Sequence, residues 1–175
     1  MIIRLGQTID DSSLQFLKYV ASLDTDHESF YVYKSGTTFI LLHLLNENQM
    51  KIVGLMEVTK TEDSEKVLKN FKSQIPCRKI FQVNMVELLK SYRGKGLAKK
   101  FYQRIVNKEK ICLMSDDVLY DGSRKVWNSL IKSSSAKTII IDILKNKIID
   151  SDYFGKEIKH SKRKIILTET PLFDF

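Results

Sequence analysis

A chain of 175 residues is close to the usual length of one domain, here taken as 1–175, and 43% hydrophobic with 29% charged residues is ordinary for a globular protein. No apolar stretch approaches the roughly 20 residues of a membrane helix, and the start, MIIRLGQTIDD, lacks the apolar core and small-residue cleavage site of a secretory signal, so a cytoplasmic, non-membrane protein is expected. Lys and Arg number 29 against 21 Asp and Glu, a net charge of +8 that favours acidic partners without choosing between nucleic acid, an anionic surface and a polyphosphate ligand.

Apolar periodicity alternates between strand-like and helix-like stretches. Met1 to Arg4 reads as a short strand. Asp11 to about Leu23 reads as a helix, with Leu14, Phe16, Leu17 and Val20 on one face and Asp10 or Asp11 as its N-cap. Phe30 to Tyr33, Thr38 to Leu45 and Lys51 to Val58 are strands of an antiparallel meander, separated by the turn sequences Ser35-Gly36 and Asn46-Glu47-Asn48. Thr61 to Lys72 fits a short helix or a loop, and Arg78 to Leu89 is a strand ending at a glycine turn. Leu97, Phe101 and Ile105 then recur every four residues, as in a helix packed on a core. Ile111 to Met114 is a short strand, Ser115-Asp116-Asp117 a turn, and Ser123 to about Lys132 a helix carrying Val126, Trp127 and Leu130. Lys137 to Leu144 and Lys164 to Thr168 are strands on either side of a polar insertion with Asp150, Asp152 and Gly155.

Cys77 and Cys112 are distant in sequence, lie in apolar contexts and have no histidine at metal spacing, so two buried thiols are expected and no metal site. His27, His43 and His160 are scattered, and no Ser/His/Asp order can be defended. The basic run Lys156, Lys159, Lys162, Arg163 and Lys164 reads as a solvated loop entering a strand. Nucleic acid is a possible partner but not the favoured one, because no aromatic residues interleave with these charges.

The most informative stretch is Arg93-Gly94-Lys95-Gly96-Leu97-Ala98, between a strand and a helix. Two glycines one residue apart permit a tight turn with its amides outward, and the following helix adds the positive end of its dipole. Such a place binds phosphate. Lys90, Arg93, Lys95, Lys99, Lys100 and Arg104 surround it, with no acid from Lys90 to Arg104, so a ligand of more than one negative charge is expected. A Rossmann turn would need a third glycine where Lys99 stands, and a Walker loop is absent. A strand-to-helix corner without a ligand would leave these charges unexplained.

This stretch satisfies the signature of the Gcn5-related N-acetyltransferases (Arg or Gln, two residues, Gly, one residue, Gly or Ala), and VELLKSYRGKGLAKKFY resembles the family's core motif in its flanks as well. Some phage-encoded members look similar beyond the turn, in Ser115-Asp116 and Trp127, which would make the location a host cytoplasm. The resemblance implies an α/β (α+β) fold with a mixed, mostly antiparallel sheet of six to seven strands flanked by about four helices, the fourth and fifth strands splayed. It further implies acetyl-CoA as co-substrate. The backbone of Arg93, Gly94, Lys95, Gly96, Leu97 and Ala98 would hold its pyrophosphate, Val86, Glu87 and Leu88 its pantetheine arm, and Lys95, Lys99 or Lys100 its 3'-phosphate.

The implied reaction is direct transfer of acetyl to a primary amine of a protein or small molecule by a monomer or homodimer. Glu87, the one acid in an apolar run, is the candidate base, since desolvation would raise its pKa; a salt bridge is its other reading. Alternation puts it on the face of Val83 and Met85, which a bulge, common in the family, would reverse. The family's tyrosine acid has no counterpart from Val126 to Lys132, where Trp127 stands, so Tyr120 is the substitute, with Ser123 an N-cap that also touches cofactor. Trp127 reads as core. A member that keeps the pocket without chemistry and works as a binding module, for example against a host macromolecule, is the other function class.

Overall fold

The structure, a computed structural model, describes residues 2–25, 28–117, 119–149 and 163–169. In chain order they form β1 (Thr8–Asp10), α1 (Asp11–Leu14), β2 (Lys18–Asp24), β3 (Ser29–Ser35), β4 (Thr38–Asn46), β5 (Gln49–Thr59) and α2 (Glu62–Asn70). Then come β6 (Ile80–Leu88), a 3-10 turn (Lys90–Tyr92), α3 (Leu97–Glu109), β7 (Cys112–Met114), α4 (Asp121–Ile131), β8 (Lys137–Asp142), β9 (Lys147–Ile149) and β10 (Arg163–Thr168). His27, His160, Asp150, Asp152, Gly155, Lys156, Lys159 and Lys162 lie outside the described residues.

The strands form one ten-stranded sheet in the order β2-β3-β4-β5-β6-β7-β10-β8-β9, with β1 paired to β5. This overturns the expectation of six to seven strands: the chain is a mixed α+β protein with a larger sheet, and four helices among the described residues. All described pairings are antiparallel except β6 with β7.

Strands β1, β2 and β9 fall where none was expected. The helix read from Asp11 to Leu23 lasts one turn. Asp10 caps it, its carboxylate accepting the Ser13 amide, but from Lys18 onward the chain pairs with β3. The spacing of Leu14, Leu17 and Val20 suits a helix, yet Tyr19 and Val20 are strand formers, and in the strand a register break between Tyr19 and Ala21 lets Ala21 and Leu23 enter the core. Pairing with a sheet edge decides between the two, and leaves Phe16 exposed rather than on a buried helix face. Lys18 and Lys34 then stand directly opposite each other, and both bond to Glu109 at the end of α3. Residues 2–4 are not strand; Ile3 and Leu5 pack as loop against Ile40, Leu42 and Ile52. Thr61–Lys72 resolves as a helix, begun by a capping box between Thr61 and Ser64.

One face of the sheet carries α3 and α4 over a core built on Phe30, Phe39, Met56, Phe101, Ile105, Trp127 and Leu130. Elsewhere, Val67, Phe71 and Ile75 of α2 and its exit cover Ile80, Cys112, Met114 and Ile166, and a third cluster joins Ile9 and Leu17 to Ile40 and Ile52. The expectation of two free thiols is corrected: Cys77 and Cys112 form a disulfide. Ile80 pairs in parallel with Cys112, so Cys77, three residues upstream, arrives beside it although 35 residues separate the two. Only the parallel register, invisible in spacing, brings them together.

Candidate functional site

Strands β6 and β7 pair only from Ile80 to Gln82 against Cys112 to Met114 and then part. The buried Ser115 causes the divergence. Its amide donates to the Ile165 carbonyl and its hydroxyl accepts the Ile165 amide, drawing the chain toward β10 and away from β6. Beyond Gln82, β6 therefore presents an unpaired edge to a cleft of about 740 Å³. Its walls are Val83 to Leu88, the turn residues Tyr92, Arg93, Gly94 and Gly96, the start of α3 with Tyr102, and Leu119, Tyr120, Gly122, Ser123, Lys125, Val126 and Trp127, with Asp116 among the lining residues.

At the mouth, Gly94 (φ 77°) and Gly96 (φ 72°) adopt left-handed backbone that other residues take at a cost, and a Cβ at either would meet open space. Conformation, not crowding, requires glycine here. The turn is anchored by Arg93, whose Nε donates to the Leu88 carbonyl at 2.8 Å. Gly96 is the N-cap of α3 and makes no side-chain cap, so the helix's first amides are open to a ligand. The N-terminus of α4, through Gly122 and Ser123, lines the same cleft and also lacks a side-chain cap. Two helix dipoles thus point their positive ends into one cavity.

Of the residues singled out from sequence, Val86, Glu87, Leu88, Arg93, Gly94, Gly96, Leu97, Ala98, Lys99, Tyr120 and Ser123 line this cleft. Lys95 does not; its Nζ lies 5.7 Å over the Tyr92 ring. Glu87 is exposed, not desolvated. The register of β6 on β5 skips Asn84, a bulge that reverses the alternation: Val83 and, past the bulge, Val86 and Leu88 face the α3 core, so Glu87 points the other way. Tyr120 is 78% exposed at the rim. Ser123 is not the N-cap, which is Tyr120; its hydroxyl donates to the Tyr120 carbonyl. Trp127 is buried in the core and is also among the residues lining the cleft.

Three features were not read from sequence. His43 Nδ1 lies 2.7 Å from the Tyr92 hydroxyl, and its Nε2 is 3.8 Å from Glu28, while its ring stacks on Phe30. This brace holds Tyr92, the residue before Arg93, and burial together with the Glu28 charge pushes the Tyr92 phenol upward in pKa. Where the strands part, Gln82 donates to Asp116 at 2.9 Å and accepts from the fully buried Lys164, whose ion-pair partner is Asp117. Finally, Tyr102 on α3 borders the cleft beside Trp127, their rings edge to face at 5.3 Å. The four-residue stripe Leu97, Phe101, Ile105 identified the buried face of α3, but Tyr102 lies one position off it, and only the packing of α4 places it in the cavity wall.

Fold and site together define a mixed α+β protein with a ligand-sized cleft where two parallel strands diverge, rimmed by a glycine turn and two helix N-termini. Against models of protein families, curated proteins and solved structures, the chain has no match. No helix among the described residues is long and apolar enough to cross a membrane, and no group of three or more metal-ligating side chains occurs among them.

Proposed function

We propose that this protein is an acetyl-CoA-dependent N-acetyltransferase that acts on a primary amine by direct transfer. The observation that carries the reading is the left-handed Gly94/Gly96 turn at the head of an uncapped helix, opening into the same cleft as the N-terminus of α4. A pyrophosphate is the ligand chemistry such a mouth suits, and the basic side chains Arg93 and Lys99 in the lining agree with it. The cavity volume lies in the range of small-molecule and cofactor sites, and its apolar side chains suit the arm of coenzyme A.

On this reading the turn amides and Arg93 bind phosphate, and the open edge of β6 at Val86 to Leu88 orients the arm with main-chain groups. Bound acetyl-CoA supplies the thioester. Glu87 at the rim takes the proton of the incoming amine, and Tyr120 provides the acid. Both side chains are exposed, and this exposure favours the second reading: a protein that keeps the pocket for binding and has weak or no chemistry. A cytoplasmic location belongs to the same proposal. The Cys77–Cys112 bond argues against it, since disulfides persist mainly in oxidising compartments, and thiol titration of freshly isolated protein decides.

The test is thermal. Coenzyme A at saturating concentration raises Tm for the wild type, and Gly96→Glu, which puts an anion at the helix N-terminus and a side chain on left-handed backbone, abolishes the rise. Thiol release with a panel of amines separates the two readings: turnover supports the enzyme, stabilisation without turnover the binding module. A wild-type protein that coenzyme A does not stabilise refutes the assignment of the cleft.

A further inference from the structure

Two carboxylates, Glu87 and Asp116, are among the residues lining the cleft, and they are held differently. Glu87 is exposed, whereas Asp116 is half-buried where β6 and β7 part, directly after Ser115. The Oδ1 of Asp116 accepts from Gln82 Nε2 at 2.9 Å and from the Asp117 amide at 2.7 Å. Gln82 is itself buried, and its amide is oriented from behind: Oε1 accepts from Lys164 Nζ and Thr61 Oγ1, which leaves Nε2 to face Asp116. The other oxygen of Asp116, Oδ2, has no hydrogen-bond partner among the described residues, and the nearby cation, Lys164, is paired with Asp117. One end of the cleft thus holds a fixed carboxylate with an unmatched charge. The other end holds the glycine turn and Arg93, anchored at Leu88, and roughly 20 Å of extended strand runs from Gln82 to Leu88.

We propose that Asp116 is the acceptor-binding residue, its carboxylate receiving the ammonium group of an aliphatic primary amine that is a cation at neutral pH. The inference rests on the coenzyme A reading of the cleft and adds to it the chemical class of the acceptor and the residue that selects it. An arm laid from the turn along the open edge of β6 runs toward Gln82, so its far end and Asp116 share one part of the cleft. Opposite charges at the two ends also sort the ligands, the anionic phosphates to the helix N-termini and the cationic amine to Asp116. The assignment concerns recognition of the acceptor and adds no proton-transfer step.

Asp116→Asn tests this, because asparagine keeps the shape and can still accept from Gln82 while the charge is lost. Binding is measured at pH 7 for coenzyme A and then, on protein saturated with coenzyme A, for two probes of similar size: n-butylamine, which is charged, and 1-butanol, which is not. The expected result is that the wild type prefers n-butylamine to 1-butanol, and that the variant binds n-butylamine about tenfold more weakly with its affinities for coenzyme A and 1-butanol unchanged. Equal affinity of variant and wild type for n-butylamine, or a wild type that does not prefer it to 1-butanol, overturns the inference while the coenzyme A reading stands. A loss shared by coenzyme A or 1-butanol, or a variant that does not fold, overturns it too, since the carboxylate is then structural. If the wild type does not bind coenzyme A, that reading falls and this inference with it.

Discussion

Gly54 lies in the middle strand of three, opposite Leu41 on one side and Leu88 on the other. A methyl group there would stand 2.6 Å from Leu88 Cδ2 and 3.1 Å from Leu41 Cβ. The first contact is far inside van der Waals range but involves the end of a flexible side chain, so Leu88 rotates. The second is to a Cβ fixed to the backbone of β4, so the strands themselves must give by a few tenths of an ångström. Overpacking of this kind costs about 1–3 kcal/mol, and the smaller unfolded-state entropy of alanine returns about 0.4–1 kcal/mol. The net destabilisation of Gly54→Ala is about 1–2 kcal/mol, or roughly 2–8 °C in Tm for a chain of this size. Because Leu88 lines the cleft and its carbonyl receives the Arg93 Nε, the variant also weakens coenzyme A binding if that ligand occupies the site. Scanning calorimetry with and without ligand measures both effects. A Tm equal to or above wild type would refute the packing argument.

Three other perturbations have defined outcomes. Cys77→Ser, or reductant added to the wild type, opens a loop of 35 residues and lowers stability by roughly 4 kcal/mol on the chain-entropy account; a Tm that does not respond to reductant contradicts the bond. Lys164 is wholly buried and its partner Asp117 half exposed, so Asp117→Ala, which strands a buried cation, costs about 1–2 kcal/mol after allowance for water at the aspartate, whereas Lys164→Met is close to neutral; urea unfolding showing the reverse order counts against this assignment. Burial raises the Glu109 carboxyl, but hydrogen bonds from Lys34 and Lys18 outweigh it and hold the pKa below the ordinary 4.5. A depressed carboxylate stabilises the fold above its unfolded pKa, and that stability is lost as pH falls through the folded value. Glu109→Gln is therefore less stable than wild type at pH 7, by about 1 kcal/mol given the exposure of Lys18, and the gap closes below pH 4.5; a gap that persists or widens in acid would exclude the ion pair as its cause.

The turn from Arg93 to Ala98 was legible in the sequence because its requirement is local: glycine is the residue that takes left-handed backbone cheaply, and here it does so twice, at Gly94 and Gly96. The meander from Ser29 to Thr59 and the helices α3 and α4 were legible for a related reason, since alternation and four-residue spacing record which side faces a core. Where two local patterns fitted the same residues, pairing and packing decided between them. Asp11 to Leu23 satisfied a helix, yet only its first turn formed and Lys18 onward became a strand because β3 offered an edge to pair with. Glu87 lay in an apolar run and is exposed because one extra residue, Asn84, reverses the face of β6. Residue type and short-range spacing thus sufficed for the phosphate-like turn and the main elements. Contacts across the chain decided the ten-strand sheet, the Cys77–Cys112 bond, the brace of His43 on Tyr92 and the place of Tyr102 in the cleft wall, because strand register and helix packing join residues whose separation no local pattern encodes.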